Sequence, residues 1–189
     1  YGTGAQAYLT GARTDYDILT IQDKSIIANK TVTVAKTADP TFNANRQGTY
    51  KITGTSVDTT YSGTVAGQSW TVTTTSTDTY DQALTKIKTA IDNLSISGLT
   101  TTKLKDNIRL TRNASFTLTG TAGPFSNQAN VFQDQVATLD ELPSESVHNH
   151  VVKVVNSGAL TSSYFLKFVA NNGTSGPGYY EETVSPAVS

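Results

Sequence analysis

Only two histidines occur in the chain, and they stand two residues apart in the run Val147-His148-Asn149-His150-Val151. On an extended strand alternate residues share a face, so both imidazoles could approach one Zn²⁺. A structural zinc site takes four ligands, and the chain has no cysteine to complete the set. We therefore read His148 and His150 as two solvated polar residues at the start of a strand. The carboxylates Asp134, Asp140, Glu141 and Glu145 cluster just upstream. Calcium loops need oxygen ligands at a fixed spacing around a glycine turn, and that spacing is missing. These four read as a solvated, charged connection.

Other chemistry is equally sparse. No G-x-x-x-x-G-K-[ST] loop cradles a phosphate. Gly2-x-Gly4 and Gly176-Pro177-Gly178 read as turn chemistry. No nucleophile stands beside an evident base, and no pair of carboxylates suggests general acid–base work. The sequence thus assigns no catalytic, cofactor-binding or metal-binding residue, and we expect a protein that is not an enzyme. N-x-[ST] sequons begin at Asn29, Asn93, Asn113 and Asn172, as an Asn- and Thr-rich chain produces freely. The aromatics Tyr8, Tyr16, Trp70, Tyr164, Tyr179 and Tyr180 have two readings. They could stack on sugars, which would make a glycan-binding β-domain, or anchor a core or subunit interface.

Composition narrows the classes further. Of 189 residues, 37% are hydrophobic and 15% charged, and Thr, Ser, Asn and Gly make up the difference. Such a mixture favours short β-branched strands joined by tight reversals. Net charge is −1 and the pI about 6.1. No Lys/Arg cluster marks an electrostatic footprint for nucleic acid. No apolar run approaches the roughly 20 residues of a membrane-spanning helix. The first residues lack the basic and apolar regions of a signal peptide. With Tyr1 first and methionine absent, we expect a piece of a longer protein.

The elements that must carry these residues are mostly strands. Period-2 alternation marks 18–21, 31–35, 49–53, 70–74, 108–111, 115–119, 151–155 and 164–169. Turn signals lie between them at Asn45-Arg46-Gln47-Gly48, Asn156-Ser157-Gly158 and Asn171-Asn172-Gly173. One segment departs: Ala83, Leu84, Ile87, Ala90, Ile91 and Leu94 have helical spacing, and Thr79 with Gln82 forms a capping box. Gly98 is placed to end the helix. The fold expected is mainly β, with antiparallel sheets of short strands and one amphipathic helix near residues 79–95. Within it, residues 1–142 form a β-rich module containing the helix and a Thr/Gly-rich insertion near 39–79. Residues 143–189 form a C-terminal β subdomain packed on it. Protease should nick the insertion first.

Three stretches resemble the tail tubular protein B (tail nozzle) family of short-tailed bacteriophages. The first runs from Tyr16 to Val34 and holds Asn29-Lys30-Thr31-Val32, like the family's aliphatic–Asn–(Lys/Arg)–x–Val segment. The second is the capped helix followed by Ile108-Arg109-Leu110 and Phe116-Thr117-Leu118, similar to an "I-x-I … F-x-L/V" pair. The third is the most specific. Leu142-Pro143 leads to Val151-Val152-Lys153-Val154, then Tyr164-Phe165-Leu166-Lys167-Phe168, then Gly178-Tyr179-Tyr180-Glu181-Glu182-Thr183-Val184-Ser185-Pro186. The family's pattern is similar, with a tryptophan near Tyr179 or Tyr180 and a glycine turn where this chain has residues 144–150. The resemblance implies a structural virion protein of the tail, assembled in the bacterial host cytoplasm as a homo-hexamer that conducts DNA during ejection. Its neighbours would be tail proteins such as the adaptor and tail fibre, and no catalytic residues come with the family.

Overall fold

A computed structural model describes residues 9–21, 24–32, 44–53, 59–123, 128–155 and 163–186. The chain divides into two compact units, Tyr1–Ala38 with Val188–Ser189, and Asp39–Ala187. The first holds one hairpin, β1 (Tyr16–Ile21) and β2 (Lys24–Asn29), in antiparallel register with Ile18 opposite Ile27 and Leu19 opposite Ile26. Because side chains alternate, those two pairs lie on opposite faces of the ribbon. The strand expected at 31–35 is displaced. Asn29 Oδ1 accepts from Thr31 N and Thr31 Oγ1, bending the chain after β2, and residues 33–35 lie outside the described residues.

The second unit is built from β3 (Gln47–Ile52), β4 (Thr60–Val65), β5 (Gln68–Thr73), α1 (Tyr80–Asp92), β6 (Leu99–Lys103), β7 (Asn107–Arg112), β8 (Leu118–Gly123), β9 (Ala129–Phe132), β10 (Gln135–Val136), β11 (Glu145–Val147), β12 (Val151–Val154), β13 (Tyr164–Ala170) and β14 (Ser175–Thr183). They form three sheets ordered β6-β7-β3-β9, β5-β4-β8 and β10-β12-β13-β14-β11. Pairing is antiparallel throughout except between β10 and β12. The fold is mainly β with one α-helix among the described residues.

That helix starts as its sequence dictates. Thr79 Oγ1 accepts from Gln82 N at 3.3 Å and Gln82 Oε1 accepts from Thr79 N at 2.8 Å, which satisfies two otherwise orphaned donors. Ala83, Leu84, Ile87 and Ile91 form one buried stripe. It packs in a core with Tyr50, Ile52, Tyr61, Val65, Trp70, Ile108 and Leu110. The stretch 39–79, read from sequence as an insertion, thus contributes three strands and five side chains to this core. The five-stranded sheet carries a second cluster around Phe132, Leu142, Val152, Val154 and Leu166.

Several turns differ from expectation. Residues 115–117 are irregular and the strand begins only at Leu118. Gln47 and Gly48 already belong to β3. Gly176, Pro177 and Gly178 lie inside β14, where Pro177 pairs with Glu145 of the outermost strand β11. Asn171–Gly173 does turn β13 into β14, with Asn172 Oδ1 accepting from Thr174 N and Ser175 N. Residues 156–158 lie outside the described residues.

Candidate functional site

Between the four-stranded and five-stranded sheets runs a polar seam. Lys51 Nζ donates to the carbonyls of Asp140 (2.9 Å) and Leu142 (2.7 Å). Asn107 Nδ2 donates to Glu145 O (2.9 Å), and Gln47 Nε2 to Val151 O (2.9 Å). Each donor stands on β3 or β7, and each acceptor on the main chain of 140–151. Side chains of one sheet thereby satisfy main-chain acceptors of 140–151, of which Glu145 and Val151 lie on strands of the other sheet.

At the middle of the seam lie Arg109, His150, Ser146 and Tyr180. Arg109 is 2% exposed and donates from Nη2 to Gln47 Oε1 (2.5 Å) and from Nη1 to Gly48 O (3.1 Å) and Thr49 Oγ1 (3.3 Å). No carboxylate of the described residues is within ion-pair distance. Burial therefore lowers its pKa to about 9, against a smaller opposing influence from Tyr180. His150 is stacked on Phe132 with ring centroids 6.5 Å apart, and its Nδ1 lies 2.7 Å from Ser146 Oγ. Burial first, and the Arg109 charge second, hold its pKa well below the ordinary 6.5. Tyr180, packed edge-on against Phe168, has its pKa pushed up by burial. Among the described residues, Tyr180 Oη, His150 Nε2 and Arg109 Nε lack hydrogen-bond partners.

This geometry corrects the sequence reading of the histidines. His150 is buried, not solvated, and His148 turns elsewhere, with Nδ1 accepting from Ala170 N (3.3 Å). The two do not share a face because Asn149 between them adopts φ +64°. Asparagine tolerates that left-handed conformation, so it serves where the family resemblance led us to look for glycine. A serine hydroxyl on an imidazole is half of a nucleophilic pair. Here Ser146 is fully buried, and burial with the Arg109 charge holds the imidazole in its neutral form.

The four acidic residues do not converge either. Glu141 Oε2 accepts from Ala137 N, and Asp134 uses its carbonyl to accept from Lys153 N. No group of three or more His, Asp or Glu residues approaches metal-binding geometry among the described residues. Among the described residues the aromatics form no common platform. Trp70 is 5% exposed and packs edge-on against Tyr50 at 5.2 Å. Tyr164 and Tyr180 pack against the second cluster, and Tyr16 Oη accepts from Gly11 N. Tyr179 is exposed and Tyr8 lies outside the described residues.

The outer face of β5-β4-β8 is the other unusual surface. Register places Thr60, Ser62 and Thr64 of β4 between Thr73, Thr71 and Ser69 of β5, with Thr121 and Thr119 of β8 beyond Ser62 and Thr64. Hydroxyls bond across the strands: Thr60 to Thr73 (3.0 Å), Ser62 to Thr121 (3.2 Å) and Thr64 to Thr119 (2.7 Å). The opposite face carries Tyr61, Val65, Trp70 and Ala122 into the core. The result is a sheet face of hydroxyls without one charged side chain.

The family profile described as bacteriophage nozzle protein matches residues 1–189, the whole chain. The chain belongs to the bacteriophage nozzle protein family. As a nozzle protein it is a structural component of the virion tail that assembles with other tail proteins. No curated protein matched in a separate comparison. No described helix of this nozzle protein is long and apolar enough to cross a membrane. Arg109 and Ser146 escaped sequence reasoning. The available signal was a charged residue between apolar ones in Asn107-Ile108-Arg109-Leu110, which marks a strand buried on both faces.

Proposed function

We propose that this nozzle protein works as a non-enzymatic wall segment of the channel through which DNA leaves the virion. The reading makes it a homo-hexamer in contact with the adaptor and tail fibre, assembled in the host cytoplasm. The observation that carries it is the family match over the whole chain. The hydroxyl face of β5-β4-β8 supports it physically. Lys and Arg bind phosphates without regard to sequence, so a wall that must release a polyanion gains from their absence. Residues 1–142 and 143–189 are proposed as the β-rich module and its C-terminal subdomain, joined along the polar seam.

Electron microscopy of the full-length protein tests the reading. Six-fold rings around a central channel are the expected class averages. Elongated single particles, or trimers without a channel, would overturn it.

A further inference from the structure

We propose that edge strand β11 and the turn at 148–150 form a pH-sensitive latch on the seam, shut at neutral pH and lifted by acid. The proposal does not depend on the ring reading above. His150 stands opposite Phe168, whose N donates to His150 O at 2.8 Å, and Phe168 pairs with Tyr180. From the other sheet, Phe132 of β9 stacks on the imidazole and the charge of Arg109 on β7 acts on it. His150 and Arg109 are each 2% exposed. Ser146 Oγ lies 2.7 Å from Nδ1, and Nε2 is buried without a partner. An imidazolium donates from both nitrogens. Protonation would therefore leave a charged donor unpaired beside a second buried cation.

The neighbouring elements supply no counter-charge. β3 turns Lys51 to the seam, where Nζ is bonded to the carbonyls of Asp140 and Leu142. β14 supplies Tyr180, whose phenol burial keeps protonated. Asp106, just before β7, uses its carboxylate to accept from Ser144 N (3.1 Å) and Asn107 Nδ2 (2.9 Å). His148, in the same turn, points away and accepts from Ala170 N. Glu145 flanks Ser146 and so lies on the other face of β11. Lys153, Lys167 and Glu181 alternate onto the outer face of the five-stranded sheet, and Glu182 is exposed. Among the described residues no carboxylate forms an ion pair with His150.

The part that gives way is set by the topology. β11 is three residues long and stands at the edge of its sheet, paired with β14 alone. Opposite Glu145 is Pro177, which has no N–H to give the ladder. Of the three side chains only Ser146 is buried, and it is the one bonded to His150. Short strands with few buried side chains open at a lower free energy than the core. The α1 core lies on the opposite face of β3 and β7, where Tyr50, Ile52, Ile108 and Leu110 point. Lifting β11 and the turn takes the imidazole into water and away from Arg109. The open form then binds a proton that the closed form refuses, so acid draws the equilibrium toward opening. At pH values above the ordinary 6.5 both forms hold a neutral imidazole and the latch stays shut.

Hydrogen exchange of the full-length protein, read by mass spectrometry and corrected for the intrinsic pH dependence of amide exchange, tests the latch. The reporters are the amides of His148, Asn149 and His150, which donate to the carbonyls of Thr174, Phe168 and Val147. At pH 7 their protection should be lower than that of α1 and insensitive to low urea, the mark of a local opening. Between pH 7 and pH 5 it should fall at least about ten-fold, as one linked proton provides. Carboxylates remain ionised over that range. His150→Gln should abolish the fall, and His148→Gln should keep it. Protection equal to that of α1, or unchanged between the two pH values, overturns the latch in the native chain even if His150→Gln fails to fold. A fall that survives His150→Gln and vanishes in His148→Gln overturns it too.

Discussion

Protonating His150 would place a second positive charge beside Arg109 in a site closed to water. The folded chain resists this, so its imidazole stays neutral well below 6.5, whereas the unfolded chain titrates it near 6.5. Below about pH 6.5 the unfolded state therefore binds more protons, and stability falls as pH drops toward the folded pKa. Above 6.5 this contribution is constant. The limiting slope is about 1.4 kcal/mol per pH unit for one proton. Urea midpoints between pH 7 and 5 should decline for the native chain and flatten for His150→Gln; parallel curves would refute the assignment. Trp70 makes a second residue-scale case. Trp70→Ala should cost about 3–5 kcal/mol in a denaturant titration, as loss of a buried aromatic does, and Tyr179→Ala less than about 0.5. A Trp70→Ala chain of unchanged stability would mean that the indole is not in the core. The sequence displayed both aromatics without saying which faced inward, because alternation assigns faces only relative to a neighbour.

At the scale of elements, local chemistry was legible where one segment supplies its own reasons. The α1 cap needed only Thr79 and Gln82, and the helix stripe only its spacing. The β4–β5 hairpin shows the converse. Ala66 and Gly67 connect the strands with φ of 52° and 81°, the two positive values of a type I′ turn. Nothing in Val65-Ala66-Gly67-Gln68 announces this, because alanine is a poor choice for a left-handed position. Ala66→Asn should accordingly raise stability by about 1 kcal/mol, read as a higher thermal midpoint. A lower midpoint would show that the partly buried Ala66 methyl packs too closely to replace. Strand limits at 24–29 and 118–123 were missed for a related reason. Thr and Ser suit turn and strand alike, and a cross-strand partner chooses between them.

For the whole molecule the decisive features are two apolar clusters joined by polar contacts and a sheet face without charge. If the hydroxyl face meets DNA, Thr64→Lys with Thr119→Lys should slow genome release from virions and make it more salt-dependent, whereas Thr→Ser at both positions should not. Time courses of dye-detected DNA release would show this, and unchanged kinetics in the lysine variant would remove that face from the channel wall. By itself, the sequence determined the mainly β class, the one capped helix and the family. These depend on composition, period and motif order, which survive without coordinates. Only tertiary structure decided that 39–79 builds core, that His150 is buried beside an arginine bonded to uncharged groups, and that Trp70 faces inward. Each of those turns on which strand lies opposite which, and residues more than 60 positions apart, such as Gln47 and Arg109, meet only once the sheets have formed.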